Sequence, residues 1–503
     1  MQYDFIIIGA GSAGSILAAR LSEDADRSVL LIEAGPDYTS LETLPDDIKY
    51  GYATESGIIS LSHDWGYQSQ PTKTSKPEDV PRGKVTGGSS AVNAQIFLRG
   101  IPEDFEAWVA MGLDHWSYEQ VLPYYKKLEN DFDYDDEFHN NDGPIKVRRY
   151  PSDAWRPDQA AFYQACRDAG FPHCPDHNQP ESTGVGPFPL NNIDGVRYST
   201  NIGYLNPARH RPNLTIRANT TVEKLIIEGR QVTGVTVVTD GKTDTIRAKE
   251  VIISAGTFGS PQLLMLSGIG AANHLREQQI PVALDLPGVG QNLHDHPTVP
   301  LFWDFKPEAE IRKDSHWHQV GLRYTATNSD LTTDMIVYIG SIPKSRTLFI
   351  RPTVNMAFSK GQLTLKSNDP TEKPNLDFDY YADDRDQSRI REGVRICLDL
   401  VDHATFQPLI EKRTQPVDFD TNDDEALNRW IQVNATTGHH AAGTCKMGVS
   451  DDPLAVVNQF GLVHGLQGLR IVDASIMPES VRANINVTVM MLAERIADEI
   501  KKV

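Results

Sequence analysis

The sequence is poor in cysteine and lacks both a basic excess and any long apolar segment, and each absence excludes a class of protein. Its 503 residues contain four scattered cysteines and no C-x-x-C pair: Cys166, Cys174, Cys397 and Cys445. This usage predicts reduced thiols rather than a disulfide framework. No uninterrupted apolar run is long enough to span a bilayer, which argues against a protein embedded in the membrane.

The charge balance is strongly acidic. Lys and Arg number 48 against 68 Asp and Glu, which gives a formal net charge of −20 at pH 7. Such a charge repels nucleic-acid phosphates and anionic membrane surfaces, so neither is expected as a partner. It also argues, with less force, against a strongly anionic substrate.

The N-terminal segment places Asp4 inside its only apolar run and has no basic stretch before it. This is not the pattern of a secretory signal peptide. Together with the reduced cysteines, it favours a cytoplasmic location. The length predicts two domains or one elaborated domain, and we find no internal repeat or low-complexity tract.

A glycine-rich turn near the N-terminus has the pattern of a dinucleotide site. An apolar run over residues 5–8 predicts a buried parallel strand, and Gly9, Gly11 and Gly14 follow it with G-x-G-x-x-G spacing. Apolar residues then recur at helical spacing as far as Leu21, so the glycines lie at a strand-to-helix turn.

Each glycine of this turn has a separate physical role. Gly9 permits the tight turn, Gly11 lets a pyrophosphate approach bare backbone, and Gly14 lets helix and strand pack closely. A second apolar run over 28–32 ends at Glu33, where an acid would bind the hydroxyls of an adenosine ribose. The alternative is a simple glycine-rich turn, but strand, helix, second strand and acid are all in register.

The next segments are less regular. Residues 36–79 show few clear periods, and so long a loop-rich stretch is typical of a lid or a cofactor cover. The small residues at 87–90, Gly-Gly-Ser-Ser, indicate backbone that lies against something large and flat or against phosphates. The alternative is a surface loop, which the neighbouring apolar residues disfavour.

The second half of the chain predicts a different kind of sheet. Alternating segments such as 335–339 and 362–365 indicate an antiparallel sheet between about 296 and 448, with helices near 389–400 and 426–433. A strand near 468–473 and an amphipathic helix over 488–502 end the chain. The predicted fold class is therefore α/β with a Rossmann-like first domain and an α+β second domain.

Five segments, taken together, resemble the glucose–methanol–choline flavin oxidoreductases, with bacterial hydroxymethylfurfural-oxidase-like and choline-dehydrogenase-like members the nearest in pattern. Residues 82–93 read R-G-K-V-x-G-G-S-S-x-x-N, and residues 256–270 read G-T-F-G-S-P-x-L-L-x-x-S-G-I-G. Residues 287–296, 473–478 and 484–488 match further family segments. The resemblance covers nearly the whole chain. It implies an FAD-binding domain formed by 1–145, 205–295 and 455–503, and a substrate-binding domain formed by 146–204 and 296–454.

The resemblance also implies which residues hold FAD. The pyrophosphate would be held by the turn and the ribose by the following acid, the adenine by one strand residue, and the ribityl chain and flavin ring by the remaining positions. In chain order these residues are Gly9, Gly11, Ser12, Ala13, Gly14, Glu33, Ala34, Trp65, Val85, Gly88, Asn93, Ala94, Val222, Asp473 and Ala474. Val92 stands where some members carry a histidine bonded covalently to the flavin, so non-covalent FAD is expected.

The catalytic pair follows from two further matches. His440 fits the family's H-x-x-G-T motif, and Asn484 stands where other members carry a second histidine. A neutral imidazole with an ordinary pKa of about 6.5 suits a base that removes an alcohol proton. The amide of Asn484 would donate to the substrate oxygen. His439 is expected to point elsewhere or at most to shape the pocket, and the alternative is that His440 is a satisfied buried histidine and Asn484 a helix cap.

Other histidine and cysteine patterns are weaker. His294 and His296, like His316 and His318, have the spacing of metal ligands, but the sequence places no third ligand beside either pair. Cys445 has no base at a recognisable spacing, so a nucleophilic role is not expected. We therefore predict no metal.

These observations predict an FAD-dependent oxidation of a small primary alcohol, aromatic or heteroaromatic, to the aldehyde, with further oxidation through the hydrate left open. Two alternatives stay within the family: a choline-type alcohol dehydrogenase with an acceptor other than oxygen, and a hydroxynitrile lyase. A catalytically silent nucleotide-binding protein is the third. The electron acceptor, dioxygen or another carrier, is left open.

Overall fold

Two large sheets dominate the computed structural model, which describes residues 2–51, 59–313 and 315–502. Among these residues, no helix combines the length and apolarity that crossing a membrane requires. All four cysteines are buried and free.

The strands of the described residues are mostly short. In chain order they are β1 Gln2–Ile8, β2 Val29–Ile32, β3 Tyr67–Ser69, β4 Glu78–Val80, β5 Glu129–Asp131, β6 Ile145–Val147, β7 Gly184–Pro187, β8 Asn192–Ile193, β9 Val196–Arg197, β10 Leu214–Arg217, β11 Thr220–Glu228, β12 Gln231–Thr239, β13 Lys242–Ile253, β14 Ile269–Gly270, β15 Leu284–Asp285, β16 Leu301–Phe305, β17 Val320–Tyr324, β18 Met335–Ile342, β19 Thr347–Val354, β20 Gln362–Thr364, β21 Asn375–Asp377, β22 Ile410–Gln415 and β23 Leu469–Ile471.

The α-helices range from single turns to five turns. They are α1 Ser12–Leu21, α2 Asp46–Lys49, α3 Pro102–Ala110, α4 Tyr118–Leu128, α5 Pro157–Asp168, α6 Asn206–Ala208, α7 Gly256–Leu266, α8 Ala272–Glu277, α9 Asp384–Val401, α10 Asp424–Asn434 and α11 Asn486–Lys501.

The first sheet is the Rossmann-like one that the glycine motif predicts. Its order is β10-β2-β1-β13-β12-β11, and β23 also pairs with β13. β1 is parallel to both β2 and β13, while β11 and β12 add an antiparallel extension. Ile6 and Ile7 have no exposed surface, as expected of a strand covered on both faces. The predicted fold class is confirmed.

The second sheet is antiparallel, with the order β22-β16-β19-β18-β17-β7. It includes β7, which lies before residue 296, outside the range in which the sequence predicts this sheet. The segment over 362–365 does not join it as predicted, because β20 pairs with β21 in a separate two-stranded sheet. The residue boundaries of the two proposed domains stay a prediction.

Strand β19 shows how the second sheet divides its side chains. Leu348 and Ile350 belong to the hydrophobic core, whereas Phe349, Arg351 and Thr353 line a cavity on the opposite face. This period of two is the ordinary alternation of a strand. The core therefore lies behind the sheet, and the cavity lies between the two sheets.

Helices α1 and α11 bring their N-termini together at this cavity. The Ser12 hydroxyl donates to the Asn486 side-chain oxygen at 2.6 Å. Further along the pair, the buried carboxylate of Glu494 binds Arg20 at 2.8 Å and accepts from the Tyr204 hydroxyl at 2.7 Å. This buried anchor fixes where both helices begin.

The loop-rich stretch predicted over 36–79 contains only short elements among its described residues: α2, β3 and the start of β4. Residues 52–58, which the predicted cover includes, lie outside the described residues. Trp65 and Tyr67, at the end of this stretch, line the cavity.

A buried ionic cluster ties the end of α4 to the segment around residue 176. His139 lies 3.0 Å from Glu129, 3.3 Å from Asp131 and 2.8 Å from Asp176. Arg149 joins Asp131 at 2.8 Å and Asp176 at 2.6 Å. Burial alone lowers the pKa of His139, but the three carboxylates outweigh it and raise that pKa to about 10.

Glu129, Asp131 and His139 bring ligand atoms within 4.8 Å of one another, as a metal site would. Their charges are already matched, however. The guanidinium of Arg99 pairs with Glu129, and Arg149 with Asp131. Arg149 also lies 3.7 Å from Asp133, so with protonated His139 each buried carboxylate of the cluster has a cation beside it.

His139→Gln is expected to lower the free energy of unfolding at pH 7 by about 3 kcal/mol, because it leaves buried carboxylates without their cation. The folded pKa of about 10 lies above the ordinary 6.5, so protonation stabilises the wild type fully below pH 6.5 and ceases to do so as pH rises through 10. Thermal melts between pH 6 and 10 should fall less steeply for the variant. The exposed His210→Gln is the control, and equal pH slopes for all three proteins would contradict the assignment.

Candidate active site

An elongated cavity lies between the two sheets, and most of the predicted site residues line it. It runs from the turn after β1 to β18 and β19 of the second sheet. Fifteen of the seventeen predicted residues face it: Gly9, Gly11, Ser12, Ala13, Glu33, Ala34, Trp65, Gly88, Asn93, Ala94, Val222, His440, Asp473, Ala474 and Asn484. Their individual roles stay proposals.

Two predicted residues do not line the cavity. Val85 is fully buried in a small apolar cluster with Leu44, Ile48 and Ala91. Gly14 lies inside the turn, where an added Cβ would sit 1.9 Å from the carbonyl oxygen of Gly9. Gly14 therefore has the packing role that the sequence assigns to it. Val85 packs within its apolar cluster and does not line the cavity.

Bare backbone forms one end of the cavity. A Cβ on Gly88 would come within 2.6 Å of the Gly11 Cα, whereas a Cβ on Gly11 would meet nothing closer than 3.9 Å. Gly11 precedes α1 without a side-chain cap, so the first N–H groups of that helix remain available. Open backbone at a helix N-terminus fits the pyrophosphate of a dinucleotide.

Glu33 stands at the end of β2 as predicted. Its carboxylate accepts the backbone N–H of Ala10 at 2.9 Å and that of Gly35 at 2.8 Å. Burial raises its pKa to about 7, although these backbone donors act in the opposite direction. The carboxylate is thereby held rigidly at the cavity edge, where a ribose hydroxyl can donate to it.

Asp473 lies beneath the middle of the cavity and joins two family segments. It accepts the Gly256 N–H at 2.8 Å and the Ser260 hydroxyl at 2.5 Å, both at the start of α7. Its own following residue, Ala474, lines the cavity. The carboxylate therefore positions the backbone at 256 and 473–474 rather than facing solvent.

His440 and Asn484 meet at the other end of the cavity. The Asn484 Nδ2 lies 2.9 Å from the His440 Nε2, and the Tyr338 hydroxyl donates to the Asn484 Oδ1 at 3.3 Å. A second histidine, to which the sequence analysis gives no catalytic role, lies behind His440. His296 places its Nδ1 3.0 Å from the His440 Nδ1 and its Nε2 2.9 Å from the Ser480 hydroxyl.

The backbone around His440 is held by Asp295. Its carboxylate accepts the His440 N–H at 2.8 Å, the His296 N–H at 2.7 Å and the Tyr380 hydroxyl at 2.6 Å, and it also accepts from the Thr437 hydroxyl. One carboxylate thus fixes two of the histidines relative to each other.

The pKa of His440 differs from the ordinary value that the sequence analysis assumes. Burial lowers it well below 6.5, and the neighbouring His296, Arg82 and Arg351 act in the same direction. The imidazole is therefore neutral at physiological pH, as a base must be. His439 also lines the cavity, with a left-handed φ of +67°, so it shapes the pocket wall.

The remaining histidines of the two H-x-H pairs bond to backbone carbonyl oxygens. His294 bonds through its Nδ1 to the Asn292 carbonyl oxygen at 3.0 Å, and His318 through its Nδ1 to that of Ile339 at 2.7 Å. His316 contacts the His318 backbone at 3.0 Å. Among the described residues, neither H-x-H pair belongs to a cluster with metal-binding geometry.

Sequence reasoning misses the wall that the second sheet contributes. The same cavity that contains His440 and Asn484 is lined by Tyr338, Phe349, Arg351 and His318. Strand alternation predicts that 349 and 351 share a face, but it does not tell which face meets the first domain.

Comparisons with known proteins agree with this geometry. The N-terminal profile of the GMC oxidoreductase family matches residues 3–298 and the C-terminal profile residues 357–493. The chain is 37% identical to an uncharacterised GMC-type oxidoreductase of Rhodococcus erythropolis, covering 98% of this chain and 97% of the relative. It is 34% identical to oxygen-dependent choline dehydrogenase 1 of Chromohalobacter salexigens, covering 99% and 95%. The crystal structure of pyridoxine 4-oxidase from Mesorbium loti is similar at a TM-score of 0.92 and 30% identity, covering 100% of both chains.

Gly11→Ala is expected to fold but to bind FAD about tenfold to hundredfold more weakly. The fold has room for the methyl, whose nearest neighbour is 3.9 Å away, yet the methyl occupies space where the pyrophosphate should approach the backbone. Fluorescence titration of the apoprotein with FAD measures the effect. Gly170→Ala is the control: its φ of +95° makes that change a cost in stability at a site remote from the cavity. Unchanged affinity in Gly11→Ala would remove the pyrophosphate from this turn.

Proposed function

The chain belongs to the GMC oxidoreductase family of FAD-dependent enzymes that act on CH–OH donors, and from this premise we propose that it oxidises a small primary alcohol, aromatic or heteroaromatic, to the aldehyde. The observation that carries the proposal is the contact of 2.9 Å between His440 and Asn484 in a cavity wall that also contains Tyr338 and Phe349. These rings offer apolar faces to a flat substrate.

His440 is the proposed base. Its Nε2 accepts from the Asn484 amide at 2.9 Å, and in the neutral imidazole the same lone pair can accept the hydroxyl proton of the alcohol once the substrate displaces that contact. Asn484 cannot take a proton, but its amide N–H can donate to the substrate oxygen and favour the charge that develops there. Tyr338 holds the amide in this orientation.

FAD, when bound, supplies the acceptor for the hydride that leaves the alcohol carbon. The chain positions it through the 9–13 turn, Glu33, Val222 and the Asn93–Ala94 segment, which all face the cavity. The N-terminus of α11 begins at Asn486 in the same wall and directs its positive end inward. Val92 lines the cavity and offers no nucleophile, which supports non-covalent binding.

Choline is the second candidate, since one relative is a choline dehydrogenase. The cavity wall beside His440 carries Arg82 and Arg351, two guanidinium groups that would repel a quaternary ammonium ion. The local charge therefore favours the aromatic alcohol. A hydroxynitrile lyase would need no hydride acceptor, so the same experiment separates it.

Anaerobic mixing of the holoenzyme with a panel of alcohols tests the proposal. We expect benzyl and pyridylmethyl alcohols to bleach the flavin at least about tenfold more efficiently than choline, because the wall is aromatic and cationic. Mixing the reduced enzyme with oxygenated buffer then shows whether dioxygen is the acceptor. A flavin whose colour is unchanged by every alcohol would rule out alcohol oxidation, and faster reduction by choline would reverse the order of the two candidates.

His440→Ala is expected to lower the rate of flavin reduction by roughly 10²–10⁴-fold while FAD stays bound, because the change removes the imidazole that contacts Asn484 and would take the hydroxyl proton. Stopped-flow absorbance measures the rate, and the flavin spectrum measures retention. His115→Ala, a change at a half-exposed histidine outside the cavity, is the matched control. An effect below tenfold would exclude His440 as the base.

A further inference from the structure

Arg351 occupies a specific place in the wall of the cavity. It lies on β19 directly opposite Tyr338 of β18, so the two side chains share the cavity face of the sheet. Tyr338 in turn bonds to Asn484. The Arg351 Nη2 donates to the Thr437 carbonyl oxygen at 3.3 Å, three residues before His440. The guanidinium is therefore a neighbour of the reaction centre.

This guanidinium has unused hydrogen-bonding capacity. Its Nε is buried and without a partner, and the single bond to Thr437 engages one of its five N–H groups. Within the described part of the chain, no carboxylate oxygen lies within the 4.0 Å of an ion pair with Arg351. A half-buried guanidinium whose N–H groups are largely unbonded is stabilised when an anion binds to it.

The two acids nearest to it are already engaged. Glu78 accepts the Thr437 N–H at 2.9 Å and also accepts from the Thr436 hydroxyl. Asp295 accepts from the His440 and His296 N–H groups and from two hydroxyls. Burial lowers the pKa of Arg351, and the two carboxylates oppose this shift from a distance without bonding to the guanidinium.

Arg82 adds a second positive charge to the same wall. It bonds to the Pro81 carbonyl oxygen at 2.8 Å, its Nη2 is buried without a partner, and it stacks over the Phe258 ring at 4.8 Å. Both arginines lower the pKa of His440, which shows that their field reaches the reaction centre.

Arg351 also lies between the cavity and a second cleft. Together with Phe349 it lines both the inner cavity and this separate cleft, whose other walls include Lys76, Pro300 and Phe302. Arg351 therefore belongs to the part of the cavity wall that borders this cleft.

We propose that the physiological substrate is an alcohol that carries a carboxylate, and that Arg351 binds this carboxylate while the hydroxyl contacts His440 and Asn484. The inference rests on the proposed alcohol oxidation and adds a specificity residue to it. Arginine matches a carboxylate with two parallel N–H donors, so the pair would fix both the position and the orientation of the substrate.

Binding of a non-reacting pair of probes tests this without catalysis. Benzoate and benzamide differ in charge but little in shape, and each can be titrated against the flavin absorbance of the holoenzyme. We expect benzoate to bind the wild type at least about tenfold more tightly than benzamide, and Arg351→Met to abolish this preference. Arg351→Lys, which keeps the charge but not the planar fork, should retain part of it. Arg429→Met, at an exposed arginine of α10, is the matched control and should match the wild type.

Measurements of turnover separate the proposed binding of a carboxylate by Arg351 from the proposed alcohol oxidation. We expect 4-(hydroxymethyl)benzoate to reduce the flavin at least about tenfold more efficiently than 4-(hydroxymethyl)benzamide in the wild type, with the ratio near one in Arg351→Met. If both alcohols reduce the flavin equally and benzoate shows no preference, the role of Arg351 is wrong and alcohol oxidation stands. If benzoate binds preferentially through Arg351 but neither alcohol reduces the flavin, the anion site stands and the proposed oxidation fails. If Arg351→Met does not retain FAD, the titration of Arg351→Lys decides. A preference for benzoate that is smaller than in the wild type supports the role of Arg351, and an unchanged preference contradicts it.

Discussion

A single buried carboxylate, Asp295, holds together the segments that form the reaction centre. It binds the backbone of His440 and His296 and the hydroxyls of Thr437 and Tyr380, which come from three separate parts of the chain. Each of these four hydrogen bonds comes from a backbone N–H or from a side-chain hydroxyl of a neighbouring loop. The position of the imidazole pair therefore depends on this carboxylate more than on any contact that the histidines themselves make.

The parts of the fold that could be predicted are those in which local pattern and global structure agree. The turn after β1 was predictable because Gly9 and Gly14 each meet a steric demand of the fold and Gly11 leaves open backbone, all of which can be read from spacing. His440 and Asn484 were predictable only through resemblance, since 44 residues separate them and no local rule joins them. The structure brings the two side chains into contact, while their chemical roles stay proposals.

What the sequence could not predict depends on which elements face each other. Arg351 and Tyr338 belong to strands whose alternation is visible, but the face that meets the first sheet is decided by packing between distant segments. His296 was noticed only as a possible metal ligand. Its contact with His440 spans 144 residues and arises from the turn that Asp295 secures. The pKa of His440 was likewise beyond reach, because burial sets it. The local charge of the cavity could not be predicted either. The net charge of −20 belongs to the whole chain, whereas the wall beside His440 carries two arginines.

The hydrogen bonds around His440 have a consequence for its tautomer. The Tyr338 hydroxyl donates to the Asn484 Oδ1, which leaves the amide nitrogen as the donor to the His440 Nε2. The Nδ1 of His440 must then carry its proton and donate to His296, whose Nε2–H donates onward to Ser480. All donors in this row point the same way, from the second sheet towards residue 480. A proton gained at the Nε2 of His440 displaces the Asn484 donor there, and the Nδ1 proton can then shift to the His296 Nδ1, because that bond already points away from the Nε2.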